Sequence, residues 1–139
     1  MRKILLLVCA ALCASPALAE QTASTQRYKS EFARGAQVAR NALKKTGATG
    51  MKIAVDDCYR SAARQRGESA VLRCYAIQRS AGDLDEAFSR ISGVDVREPS
   101  LTKGAALVRA INALKDRGVP EDTAHQTIAI WDFYGREDN

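Results

Sequence analysis

Apolar residues recur at steps of three and four through most of the chain, which is the spacing of one face of an α-helix. The first stripe predicts a helix over 27–45 and the second a helix over 51–65, joined by a loop at 47–50. Gly47 and Gly67 are suited to end these two helices. The two stripes consist of Tyr28, Phe32, Ala36, Ala39 and Leu43, and then of Met51, Ala54, Val55, Cys58 and Ala62.

The third stripe contains a glycine that either divides it or lies inside one helix. Gly82, followed by Asp83 and Glu86, resembles a helix break with a capping box. However, the apolar residues keep their spacing across Gly82, and a break would disturb that phase. We therefore predict one helix over 69–92, in which Gly82 costs about 1 kcal/mol relative to alanine. The stripe consists of Cys74, Ile77, Ala81, Leu84, Phe88 and Ile91.

Two more helices complete the pattern. Ser100 or Thr102 caps a fourth helix, which Gly118 ends. Pro120 suits the first turn of a fifth helix, which Gly135 closes. Because no segment alternates convincingly with a period of two, we predict an all-α fold, a small bundle of four to five helices. The last two stripes consist of Leu107, Val108, Ile111 and Leu114, and of Ala124, Ile128, Trp131 and Tyr134.

The first nineteen residues follow a different pattern. A basic pair at positions 2–3 precedes an unbroken apolar run, Ile4–Leu12, and Ala17 and Ala19 are the small residues that a signal peptidase reads. The run is shorter than the roughly 20 residues that span a bilayer, and no later segment is long and apolar enough. We interpret residues 1–19 as a cleavable signal peptide and expect no transmembrane span.

Cleavage changes the organisation and charge of the chain. The polar, aperiodic residues 20–26 predict a disordered tail, residues 27–135 a single helical domain, and residues 136–139 a frayed C-terminus. The signal peptide removes two basic residues, which lowers the formal net charge from +5 to +3. Such a mild positive charge does not by itself imply nucleic acid, and we expect no nucleic-acid partner.

The cysteines indicate both compartment and packing. Cleavage leaves Cys58 and Cys74, which most simply pair in an oxidising compartment. Cys58 lies nine residues before Gly67 and Cys74 seven residues after it. In an antiparallel helical hairpin such residues face each other, so we predict a disulfide that stabilises the fold by roughly 3 kcal/mol. The short, alanine-rich signal favours the periplasm of a Gram-negative bacterium, and secretion is the alternative.

Candidate catalytic and metal-binding residues form no established pattern. His125 with Asp122 lacks the Gly-x-Ser-x-Gly turn of a serine hydrolase, and one histidine with two cysteines is too few for a zinc site. Asp56 and Asp57 point about 100° apart on a helix and do not converge. The acidic group at 83–86 lacks the glycine of a calcium loop. We therefore expect no enzymatic activity, metal or cofactor.

Two surfaces are candidates for binding. Arginines and tyrosines on the hairpin form either an anion-binding face or a solvated face with tyrosines half buried beside the disulfide. The second candidate is an aromatic edge near the C-terminus, where three aromatics in four positions cannot all face one core, and the alternative is that they serve core and terminal packing. The hairpin residues are Arg60, Arg64, Arg66, Arg73, Arg79, Tyr59 and Tyr75, and the aromatic edge consists of Trp131, Phe133 and Tyr134.

These features favour a small exported, non-enzymatic binding protein. Its partner would be a protein or an anionic component of the envelope, held by the basic hairpin or by the aromatic edge. The alternative is an inhibitor or immunity-type protein against a secreted hydrolase or toxin. A third hypothesis, an enzyme, would depend on His125.

Overall fold

The computed structural model describes residues 16–95 and 97–136, with side chains from residue 24 onward. Within these residues the chain forms four α-helices and one 3₁₀ turn, and no β-strand. The prediction of a small all-α bundle is confirmed. The elements are α1 (Pro16–Ala62), α2 (Ser69–Ser92), the 3₁₀ turn (Pro99–Leu101), α3 (Lys103–Lys115) and α4 (Glu121–Arg136).

Helix α1 reverses direction within its length. Its backbone is not helical at Thr46 and Gly47. Glu31, before this bend, forms an ion pair with Arg73 of α2. Cys58, after the bend, is bonded to the residue that follows Arg73. Because both sides of the bend reach the same turn of α2, the chain folds back on itself at the bend.

The bend divides α1 into a first arm, residues 16–45, and a second arm, residues 48–62. The two helices predicted before and after Gly47 correspond to these arms. Gly47 has φ 66°, in the left-handed region that glycine adopts without steric cost. The predicted loop at 47–50 is shorter in the structure, since the helix resumes directly after Gly47. The second arm ends at Ala62 rather than at Gln65.

The helices run alternately up and down the bundle. The first arm lies parallel to α2, since Glu31 is beside Arg73 and Gly35 is beside Ala76 one turn further along. Helix α3 runs parallel to the second arm of α1, with Arg109 beside Asp56 and Arg117 beside Ala62. Helix α4 runs parallel to α2, as the ion pairs of Arg79 with Asp132 and of Asp83 with Arg136 show. One end of the bundle, the hairpin end, therefore contains the turn at 63–68. The opposite end, the bend end, contains the bend of α1.

Helix α2 is continuous, as predicted, and it holds the segment that leads to α3. Buried Asp85 accepts a hydrogen bond from the backbone N–H of Glu98 at 2.7 Å. Buried Gln78 donates from Nε2 to the carbonyl oxygen of Ser100, also at 2.7 Å. Thr102 then caps α3 by accepting from the N–H of Ala105, which confirms one of the two predicted caps.

The chain termini differ from expectation where they are described. Residues 20–26, predicted to be a disordered tail, are helical and continue α1. Alanine, glutamate and glutamine favour helices, and proline suits a first turn. Residues 1–15 of the predicted signal peptide lie outside the described residues. So do residues 137–139 of the predicted frayed terminus, whereas Arg136 is the last residue of α4.

Gly135 lies inside α4 and does not close it, contrary to the prediction. A Cβ atom at this position would collide with the ring of Phe32 on the first arm. The missing side chain therefore lets α4 and the first arm approach closely. A glycine near a helix end signals either a cap or a close crossing, and the chain pattern alone does not distinguish them.

The apolar stripe of α2 leaves the core before the helix ends. Ile77 and Ala81 are buried, but the exposed fractions of Phe88 and Ile91 are 54% and 87%, so the predicted stripe is only partly covered. The parallel register of the first arm and α2 brings the bend of α1 to about the level of Phe88. Beyond that level α1 offers no surface on which α2 can pack.

Val108 of α3 is a third exposed member of a predicted stripe. Its exposed fraction is 59%, because it lies away from the face that α3 turns to the core. That face consists of Ala106, Ala110, Ile111 and Leu114.

Candidate functional site

The structure divides the predicted basic hairpin between interior and surface. Tyr59, Tyr75 and Arg79 are buried, so they do not lie on a solvent-facing surface as that candidate face requires. The exposed members are Arg60, Arg64, Arg66 and Arg73. The sequence places arginines and tyrosines on the hairpin but does not show which of them contact the later helices.

Two of the four exposed arginines are neutralised locally. Arg60 forms an ion pair with Asp57 at 2.9 Å, and Arg73 pairs with Glu31 at 3.2 Å. Arg64 and Arg66 lie in the turn between the second arm and α2, where no ion pair to either is found among the described residues. The uncompensated charge of the basic hairpin is therefore confined to Arg64 and Arg66 in the turn.

The predicted disulfide between Cys58 and Cys74 is present, with a Cα–Cα distance of 5.5 Å. It joins the second arm of α1 to α2. Cys74 is buried and Cys58 is partly buried, so the bond lies largely within the bundle. This position indicates a structural bond rather than a reactive dithiol.

Buried Tyr59 packs against an ionic group on the neighbouring helix. The guanidinium of Arg109 lies 4.3 Å from the centre of the Tyr59 ring and donates to Asp56 at 2.8 Å. Lys52 donates to the same carboxylate at 2.9 Å. The hydrogen bond from Lys52, with further help from Arg109, lowers the pKa of Asp56. Asp57 turns away to Arg60, so the two adjacent carboxylates diverge as predicted.

An ionic cluster around buried Arg79 joins α2 to α4. The Tyr75 hydroxyl donates to Asp132 Oδ1 at 3.0 Å, and Arg79 Nε donates to the same oxygen at 3.2 Å. Arg79 also pairs with Asp83 at 3.3 Å, and Asp83 pairs with Arg136 at 3.2 Å. Burial, followed by the Asp132 carboxylate, raises the pKa of Tyr75, which keeps the phenol protonated as a donor. The cluster satisfies a buried guanidinium and fixes α4 on α2.

A groove of about 720 Å³ lies between the first arm, α2 and α4, above this cluster. Three arginines and three carboxylates line it, so their formal charges cancel and the groove has no clear preference for ligand charge. Its apolar lining consists of Phe32, Ala36, Leu84 and Ala87, and its charged lining of Arg40, Arg90, Arg136, Asp83, Glu86 and Asp132.

The remaining candidates for chemistry are separated from one another. His125 is exposed on α4, and its Nε2 is 4.0 Å from Glu121 Oε1 rather than being oriented by Asp122. In the acidic group at 83–86, Asp85 points inward to the Glu98 N–H, whereas Glu86 pairs with Arg90. No group of three histidine, cysteine, aspartate or glutamate residues suited to a metal ion occurs in the part of the chain that the structure describes.

The aromatic edge is partly exposed. Trp131 belongs both to the predicted apolar stripe and to the candidate edge, and the structure buries it. Its ring centre lies 4.6 Å from that of Tyr28. Phe133 has an exposed fraction of 61%, and its ring stands edge-on to Tyr134 at 5.1 Å. Ile130 is also exposed and shares a helix face with Phe133 and Tyr134. From here on, the aromatic edge denotes Ile130, Phe133 and Tyr134.

A cleft of about 290 Å³ adjoins the aromatic edge. Its apolar lining consists of Tyr28, Leu72, Ile130 and Trp131, and its polar lining of Arg27, Glu68, Ser69 and Thr127. Sequence reasoning missed Ile130, although its spacing of three and four residues from Phe133 and Tyr134 was available as a signal. The combination of an exposed apolar ridge and an adjacent cleft of mixed polarity is suited to contact a partner protein.

No helix in the described part of the chain is long and apolar enough to cross a membrane. The chain matches no protein-family model, and no curated protein or solved structure is significantly similar to it. The functional conclusion therefore rests on the surfaces described above.

Proposed function

We propose that this chain is a non-enzymatic binding protein of the bacterial envelope, and that its aromatic edge binds a protein partner. The observation that carries the proposal is the exposure of Phe133, a large apolar side chain whose ring packs edge-on against Tyr134 on α4. Aromatic side chains are enriched among the residues that dominate protein interfaces, because they bury much area and lose little conformational entropy.

The support beneath the aromatic edge favours a preformed binding surface. Trp131 is buried directly below it, and Tyr28 of the first arm packs on Trp131. Asp132, between Trp131 and Phe133, accepts hydrogen bonds from Tyr75 and Arg79 of α2. A rigid surface costs little ordering entropy on binding, which favours affinity.

Export to the periplasm is part of the proposal. It is supported by the signal-peptide pattern of residues 1–19 and by the Cys58–Cys74 bond, since disulfides persist in oxidising compartments. Purification of the mature protein from periplasmic extract, with a new N-terminus near Glu20, is the expected result. A chain that retains residues 1–19 in the cytoplasm would contradict it.

The test of the binding surface compares matched surface variants. The oxidised wild-type protein, F133S, I130S and the control V108S are used to retain proteins from periplasmic extract of the native organism. Val108 is a suitable control because it is as exposed as Phe133 but lies on α3. We expect one protein to be retained by wild type and V108S and to be lost from F133S and I130S.

Affinity for that purified protein then gives the quantitative result. A residue at the centre of an interface contributes about 2 kcal/mol or more, so F133S should weaken the Kd at least about 30-fold and V108S should leave it unchanged. Equal retention by all four proteins would refute the aromatic edge as the binding surface. If the partner is a secreted hydrolase or toxin that loses activity in the complex, the protein belongs to the inhibitor or immunity class.

A further inference from the structure

Three apolar residues project from the bend end of the bundle. Phe88 and Ile91 lie on the last turns of α2, and Val94 follows the left-handed Gly93 that ends the helix. All three are exposed, and Ile91 is the most exposed of the large apolar residues in the described chain. We call these three residues the apolar tip.

The first arm brings positive charge to the same end. Arg40 lines the groove beside Leu84 and Arg90, and Lys44 lies one turn further toward the bend on the same helix face. Arg40, Lys44 and Lys45 are exposed, and no ion pair to any of them is found among the described residues. By the parallel register of the first arm and α2, Lys44 and Lys45 lie near the level of Phe88 and bring positive charge to the bend end.

The carboxylates near this end are engaged within the protein. Each exposed one is already paired with an arginine, Asp85 is buried against a backbone N–H, and partly buried Glu98 accepts from Ser100. The exposed pairs are Asp83 with Arg136, Glu86 with Arg90, and Asp95 with Arg97.

We propose that the bend end docks on the surface of an anionic bilayer. The apolar tip enters the interfacial region, and Arg40, Lys44 and Lys45 lie against the lipid phosphates. Amphipathic surfaces of this composition bind bilayers through buried apolar area together with attraction of basic residues to anionic headgroups. This function goes beyond the proposed protein binding and uses a different surface.

The shape and charge of the bend end favour a bilayer over other occupants. The apolar tip projects from a helix end, and an interface of lipid headgroups accepts projecting side chains. Contact between two copies through this end would bring Lys44 and Lys45 of one close to the same residues of the other. Like charges placed together disfavour such a dimer.

The test measures binding of the mature, oxidised protein to vesicles. One set contains phosphatidylethanolamine and phosphatidylglycerol, and the other contains phosphatidylcholine alone. We expect the protein to sediment with the anionic vesicles, to be released by added salt, and to remain free of the neutral ones. Each of K44Q and K45Q should weaken the partition about five-fold, since one basic residue near an anionic surface contributes about that factor.

Matched variants separate the apolar tip from general effects. The double variant F88S/I91S should lose at least about ten-fold in binding to anionic vesicles. V108S removes an equally exposed apolar side chain from α3 and should bind as wild type does. R64Q/R66Q removes two charges from the hairpin end and should likewise have no effect. Circular dichroism checks that each variant folds, which is expected because every changed residue is exposed.

Three results would overturn the membrane proposal. The first is absence of binding to anionic vesicles, and the second is an equal loss in the tip variants and the controls. The third is light scattering that shows a wild-type dimer which F88S/I91S abolishes, since the tip would then be a self-association surface. None of these results bears on the aromatic edge, because F133S and I130S are not among the variants.

Discussion

The carbonyl oxygen of Leu101 occupies the space beside Gly82 where a Cβ atom would lie. Gly82 therefore does not interrupt α2 but permits the 3₁₀ turn before α3 to rest directly on the helix. The glycine lowers helix propensity and in return allows a close backbone contact.

Substitution of Gly82 should destabilise the protein despite the gain in helix propensity. A Cβ atom would collide with the backbone of Leu101, which has no flexible end to move, so we expect G82A to lower the free energy of unfolding by about 2 kcal/mol. Urea denaturation measures this. The control is G104A, because a Cβ on Gly104 meets nothing within 4 Å. That variant should gain about 0.5 kcal/mol, and equal effects of both substitutions would contradict the contact.

The disulfide should account for a substantial part of the stability. Opening the loop between Cys58 and Cys74, a sequence separation of 16 residues, should lower the free energy of unfolding by about 3 kcal/mol. The measurement compares urea unfolding of the oxidised protein with that of the reduced protein. C58S/C74A should unfold like the reduced wild type and should not respond to reductant. Free thiols in the unreduced, unfolded mature protein would refute the bond.

Loss of the Asp132 charge should destabilise the fold, because buried Arg79 would lose one of its two carboxylate partners. In D132N the guanidinium retains only Asp83, so we expect the free energy of unfolding to fall by about 2 kcal/mol. The matched control is D95N, which breaks the exposed pair of Asp95 with Arg97 and should change stability by less than about 0.5 kcal/mol. Similar losses in both variants would show that the cluster does not depend on burial.

The ion pairs of Asp56 should make stability depend on pH in the acidic range. Its pKa is lowered in the folded state, so its contribution is complete above the unfolded value of about 3.9 and is lost as the pH falls through the folded pKa. The difference in urea midpoint between wild type and D56N should therefore be largest near neutral pH and shrink in acid. D57N, which removes the exposed pair with Arg60, should show a smaller difference. A difference in urea midpoint between wild type and D56N that grows as the pH falls would contradict this prediction.

The sequence predicts the parts of this fold that depend on neighbouring residues. Helix stripes follow local spacing, and the Cys58–Cys74 pair follows from its position around Gly67. The burial of Arg79 was not predictable in this way, because its partner Asp132 lies 53 positions further along the chain. An isolated arginine in a sequence is normally exposed, and only the docked α4 supplies the carboxylate that permits burial.

The candidate surfaces were only partly predictable for a related reason. The helical spacing of Phe88 and Ile91 with buried residues such as Ile77 indicates a common face, which is correct. Whether that face is covered depends on how far along α2 the first arm extends before it bends. This follows from how the two helices pack, and local spacing does not show it. Phe133 was identified because three aromatics cannot share one helix face, an argument that needs no tertiary information.

The contact between Tyr28 and Trp131 joins the beginning of the helical bundle to its end. Under the proposed export, Cys58 and Cys74 would both emerge before α3 and α4, so oxidation would link the second arm to α2 while the remaining chain is still being delivered. Phe32 of the first arm meets Tyr75 of α2, whereas Tyr28 obtains its aromatic partners only from α4, the last helix to arrive. Completion of the bundle thus waits for the C-terminus, and the same late helix presents Phe133 at its surface.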